Sequence, residues 1–171
     1  MPNQPHAAVT SHFIDLTFAE QLLLWGLRQW VQAFQGESST HGVTLEGYRI
    51  AGAPEAYPAI DGLMTVLAGS GQGNVEIRCP KCPNVSDDEH RLMGAVAAWQ
   101  DGADHRLSDA FLEKWMRPAA LRIARQPVPQ LAAALKSAGL IIRDRPFDRY
   151  ASISSPLTGS PSPVGVSGTL H

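Results

Sequence analysis

Between Thr17 and Gln35 the apolar residues Phe18, Leu22, Leu23, Trp25, Leu27, Trp30, Val31 and Phe34 recur at intervals of three and four. That spacing returns side chains to one side of a helix, so it predicts an amphipathic helix with a wide apolar face. Thr17-Phe18-Ala19-Glu20 opens the run as a capping box, in which hydroxyl and carboxylate each satisfy an early amide, and Gly36 stands where such a helix ends. A face this wide needs cover from several other elements. The helix is therefore expected to be the central rod of a helical fold.

The rest of the chain offers that cover in short, punctuated pieces. Helices are expected over about 45–51, 58–68 with Pro58 in the first turn, 86–100 behind the cap signal Ser86-Asp87-Asp88-Glu89, 107–116, 118–125 and 130–138, with Gly139 as a stop. Val75–Arg78 and Leu140–Arg143 alternate like strands. A lone strand leaves its backbone groups unpaired, so these two are expected to pair with each other. The fold class that follows is mainly α: a compact bundle of six or seven helices with a small two-stranded β-ribbon (75–78 with 140–143), forming one domain over 14–149. Residues 1–13 are polar, and residues 150–171 are rich in Ser, Pro and Gly and carry no charged side chain. Both ends are expected to be disordered.

With 171 residues and 44% apolar composition the chain suits one domain with a real core. No run approaches the ~20 apolar residues that a membrane span needs. Met1–Phe13 has neither a basic start nor an apolar stretch, so no secretory leader is expected. A cytoplasmic, bacterial-type setting with reduced thiols follows as the expectation.

Both cysteines lie in Arg78-Cys79-Pro80-Lys81-Cys82-Pro83. Two thiolates at this spacing make half of a tetrahedral zinc site. His90 is the nearest imidazole, eight residues past Cys82, with His41, His105, a carboxylate or a second subunit as the remaining choices. Over five residues the motif resembles the Cys-Pro-x-Cys-Gly knuckle of zinc ribbons and rubredoxins, which implies metal ligation by Cys79 and Cys82. Pro83 stands where that knuckle has glycine; it lacks an N–H for thiolate sulfur and cannot take positive φ. The same residues resemble the Cys-Pro-x-Cys redox motif of glutaredoxin-like proteins, which implies thiol exchange. In those folds the first cysteine caps a helix, whereas here the helix starts several residues later, beyond the reach of its dipole. The plain alternative is a pair of small, partly buried thiols in a turn. Asp87, Asp88 and Glu89 are expected simply to oppose the positive end of the helix dipole.

The net charge of −2 hides an asymmetry: five basic and twelve acidic side chains up to residue 105, then nine basic and four acidic over 106–149. Lys114, Arg117, Arg122 and Arg125 are the candidates for binding a partner or an anion, on one arc only if Pro118 does not break the helix between them. A pI near 6.3 and the lack of a helix-turn-helix spacing speak against nucleic acid. There is no Gly-x-Ser-x-Gly elbow, His-Glu-x-x-His helix or Walker motif, and Gly69-Ser70-Gly71-Gln72-Gly73 lacks the ending of a phosphate-binding loop.

Together these features indicate a non-enzymatic accessory or regulatory protein acting through protein–protein contacts, with a protein partner or a second copy of itself. A zinc-binding or thiol-redox protein built on Cys79 and Cys82 is the alternative. Nucleic-acid binding through the basic residues comes third. No cofactor is expected, zinc being the one the cysteine pair could take.

Overall fold

The computed structural model describes residues 11–36, 40–70, 72–102 and 105–143. Among the described residues there are seven α-helices: α1 (Phe18–Phe34), α2 (His41–Ile50), α3 (Ala56–Gly69), α4 (Asp87–Asp101), α5 (His105–Leu112), α6 (Pro118–Ala124) and α7 (Pro127–Ser137). A 3-10 turn, Phe13–Asp15, precedes α1. No helix of the described residues is long and apolar enough to cross a membrane.

Local signals set most helix ends. Thr17 Oγ1 accepts from the Glu20 amide at 3.3 Å while the Glu20 carboxylate accepts from the Thr17 amide at 2.7 Å. Ser86 and Glu89 repeat that exchange at α4. Gly36 and Gly139 close α1 and α7 at φ 76° and 73°, the left-handed region where a side chain would be strained. Pro127 and Pro129, which lie between the helices expected over 118–125 and 130–138, occupy the first turn of α7, where a missing N–H leaves no bond unmade. α5 stops at Leu112 rather than Met116, because the chain turns through Glu113–Trp115 before Pro118 starts a new helix.

Four helices close a ring around the core: α1 packs on α3, α3 on α7, α7 on α4, and α4 back on α1. α2 lies against α1 and α3, α5 against α4, and α6 against α3 and α7. Leu23, Leu27, Ile60, Leu63, Leu92, Met93, Leu131 and Leu135 fill the interior. The helix expected as a central rod is thus one wall of four. Its first and last residues, Phe18 and Phe34, are 64% and 68% exposed rather than covered. Its buried set includes Glu20 and Arg28 instead. α2 approaches α1 closely at Gly26, where an added Cβ would stand 2.2 Å from the Tyr48 hydroxyl.

The expected β-ribbon does not form: no strand occurs among the described residues, and the two segments find their partners at opposite ends of α4. At its start, the Asp88 carboxylate accepts from the Glu76 amide at 2.8 Å and Glu89 from the Arg78 amide at 2.9 Å, while the Ser86 hydroxyl donates to the Glu76 carbonyl. Near its end, the Gln100 side-chain amide donates to the Leu140 carbonyl at 3.0 Å and accepts from the Ile142 amide at 2.8 Å. The extended backbone is satisfied, as it must be, but by side chains of one helix.

Of the N-terminal residues expected to be disordered, 11–13 are held against the cysteine-containing loop. Val85 donates its amide to the Ser11 carbonyl at 2.9 Å, Phe13 donates to the Pro83 carbonyl at 2.7 Å, and His12 and Asn84 form an isolated antiparallel bridge. Residues 1–10 and 144–171 lie outside the described residues.

Candidate functional site

Cys79 and Cys82 occupy one tight turn, in which the Cys82 amide donates to the Cys79 carbonyl at 3.0 Å. Their Cα atoms are 5.2 Å apart and their sulfurs lie at disulfide distance. Cys79 is exposed and Cys82 half-buried. Lys81 stands exposed between them, and Arg78, just before, pairs with Glu76 at 2.8 Å on the surface. The helix that follows begins at Asp87, so neither sulfur sits at its N-terminus.

What fixes this turn is an arginine far away in sequence. Arg28, in the middle of α1, grips both oxygens of Glu89 at 2.8 and 3.0 Å. Its remaining donors reach the carbonyls of Cys82 and Asn84, each at 2.8 Å. Its guanidinium also lies 5.4 Å from the centre of the Phe13 ring. Glu89 meanwhile accepts from the Arg78 and Ser86 amides at 2.9 Å. Both side chains are wholly buried. A buried ion pair is tolerable only when its remaining hydrogen-bonding positions are filled, and here the protein backbone fills them. Glu89 therefore does far more than oppose the helix dipole: it seats the loop from Arg78 to Ser86.

His90, the expected third metal ligand, lies half-buried in the first turn of α4. No group of three or more His, Cys, Asp or Glu is arranged to hold a metal ion among the described residues. His41 is engaged elsewhere: its Nδ1 shares a hydrogen bond with the Tyr57 hydroxyl, joining α2 to α3. Burial, and after it the charge of Asp61, pushes the Tyr57 phenol above its ordinary value. Asp61 in turn accepts from the Trp30 indole at 2.7 Å. These polar contacts were not legible in the sequence, where Trp30, His41 and the Tyr57–Asp61 pair stand well apart.

The basic residues separate into different environments. Lys114 and Arg117 line one cleft together with Arg91 of α4. Arg125 instead pairs with Asp109 of α5 at 2.5 Å, and Arg122 is exposed on α6. The break at Pro118 is the cause, since it places Lys114 and Arg122 on separate elements.

No family model, curated protein or solved structure matches this chain. Its chemistry has to be read from its own side chains.

Proposed function

We propose that this chain is a small helical accessory protein whose contact with a protein partner runs through thiol–disulfide exchange at Cys79 and Cys82. One observation carries the reading: an exposed Cys79 shares a tight turn with a half-buried Cys82, their sulfurs at disulfide distance. Exchange needs one sulfur that a partner can reach and a second close enough to resolve the mixed disulfide.

The Cys79 thiolate attacks a disulfide of the partner, forming a mixed disulfide and releasing one partner sulfur, which takes up a proton. The Cys82 thiolate then attacks the Cys79 sulfur, closes the intramolecular disulfide and releases the second partner thiol. Two electrons pass to the partner. Arg28 holds the turn through backbone carbonyls, which do not change with oxidation state. The protein is a stoichiometric partner rather than a catalyst of small-molecule turnover. The cytoplasmic setting expected from the sequence belongs with this reading, because disulfides there are transient.

The test is to equilibrate the protein in graded glutathione or dithiothreitol buffers and count alkylated thiols by mass. A reversible two-electron transition within about −120 to −270 mV, the span of known exchange proteins, supports the reading. So does a glutathione adduct trapped on Cys79 in Cys82→Ser but absent from Cys79→Ser. Thiols that stay reduced throughout, or stoichiometric zinc in protein prepared without a metal-affinity tag, overturn it.

A further inference from the structure

Along 75–78 the engaged backbone groups alternate. The Glu76 amide, the Glu76 carbonyl and the Arg78 amide all meet side chains at the N-terminal end of α4. In extended backbone a residue directs its N–H and C=O to one edge, and the next residue directs its own to the other. Val75 and Ile77 therefore turn theirs away from α4. Among the described residues nothing meets those groups in a hydrogen bond. The side chains of Val75 and Ile77 are half-buried and line an open cleft of about 300 Å³ with Trp30, Phe34, Met64 and Leu67. Among the described residues no charged side chain lines it.

The neighbouring sulfur decides what belongs there. Cys79 is exposed and follows Ile77 by two residues, so the free edge and the cleft run directly into the cysteine turn. A strand added antiparallel to that edge places one of its residues opposite Cys79, at a Cα separation of roughly 4.5–5.5 Å. A disulfide spans about 4.4–6.8 Å between Cα atoms. An added strand thus delivers a cysteine at the distance that a mixed disulfide needs. Two and four positions further on, its residues stand opposite Ile77 and Val75, beside the apolar cleft.

We infer that the free edge of 75–77 docks an extended segment of the disulfide-bearing partner, a cysteine followed at alternate positions by two apolar residues. Backbone bonds to Val75 and Ile77 hold the segment, and the cleft selects its side chains. The occupant rests on the thiol exchange proposed above, whereas the docking is measured without it.

In reduced Cys82→Ser, the Cys79 thiol is joined to the peptide Cys-Thr-Leu-Thr-Val, supplied as its thiopyridyl disulfide. Thiopyridone leaves, and the step needs only a reachable sulfur. Hydrogen exchange by NMR is then compared with that of the same variant carrying cysteamine. The Val75 and Ile77 amides should slow about tenfold or more in the peptide adduct, while those of Glu76 and Arg78, already bonded, should not change. At equilibrium this peptide should be favoured on Cys79 about tenfold over the shifted peptide Cys-Leu-Thr-Val-Thr. Phe34→Ala should shrink that preference; circular dichroism verifies that this exposed position leaves the fold intact. Unslowed Val75 and Ile77 amides, equal slowing by cysteamine, equal affinity of the two peptides or a preference untouched by Phe34→Ala overturns the docking. So does slowing of both amides in untethered protein on raising its concentration, which would give the edge to a second copy. A cysteine pair outside the potentials of exchange proteins would end the exchange reading while leaving the docking edge in place.

Discussion

The guanidinium of Arg28 and the carboxylate of Glu89, 61 residues apart, meet in a bidentate pair from which solvent is wholly excluded. Around them converge the amides of Arg78 and Ser86 and the carbonyls of Cys82 and Asn84. Two helices and the cysteine turn are thus joined at one polar node inside an apolar ring. Arg28→Met strands a buried carboxylate and two carbonyls, and should cost about 3–5 kcal/mol. Urea unfolding of Arg28→Met, Glu89→Gln and the double variant measures this. A double variant about as stable as either single one confirms that the two act as a unit; strictly additive losses would refute it.

Gly26 and Gly42 should respond in opposite directions to alanine. In α1, a Cβ at Gly26 would overlap the Tyr48 hydroxyl, which already donates to the Leu22 carbonyl at 2.8 Å. Relief requires the two helices to separate, so Gly26→Ala is expected to lose about 1–3 kcal/mol despite alanine's better helix propensity. At Gly42 in α2 nothing lies within 4 Å of the added atom. There the propensity gain stands alone, and Gly42→Ala should stabilise by up to about 1 kcal/mol. Thermal midpoints of both variants decide it; a neutral Gly26→Ala would show that the helices have slack.

Gln100 holds the final described segment in place. Its side-chain amide serves Leu140 and Ile142, and donates to the Ala132 carbonyl at 3.3 Å. Gln100→Leu keeps the volume but leaves these groups without partners, costing about 1–3 kcal/mol. Hydrogen exchange gives a local reading: the Ile142 amide, slow in the parent, should exchange much faster in the variant. An unchanged rate there would mean that the segment is held by packing alone.

Alkali should unfold the protein through its buried tyrosines. Burial, then the neighbouring Tyr57, raises the Tyr48 phenol well above the ordinary 10.0, and Tyr57 is raised by burial and Asp61. A raised folded value means that the fold prefers the protonated form. That stability is fully present below about pH 10 and is lost as pH climbs beyond the unfolded value. Tyr48→Phe removes one of the two groups, so its urea midpoint should fall less steeply than the parent's above pH 10. Parallel curves would rule Tyr48 out as a source of alkaline sensitivity.

What the sequence determined by itself is what a few adjacent residues decide. Thr17 with Glu20, Ser86 with Glu89, Gly36 and Gly139 set helix ends because each cap is completed within three or four positions. The break at Pro118 was legible for the same reason. The mainly helical class followed, since helices close their hydrogen bonds within their own segment.

The tertiary structure alone decided where the remaining polar groups went. The sequence showed that 75–78 and 140–143 needed backbone partners, yet their strand-like alternation said nothing of Asp88, Glu89 or Gln100. Those side chains serve the extended segments only because the ring brings the two ends of α4 against them. Arg28 likewise reads as a polar residue inside an amphipathic run. It belongs to the interior because the loop after Cys82 folds over α1 and offers it carbonyls, a circumstance created by contacts between residues more than fifty positions apart.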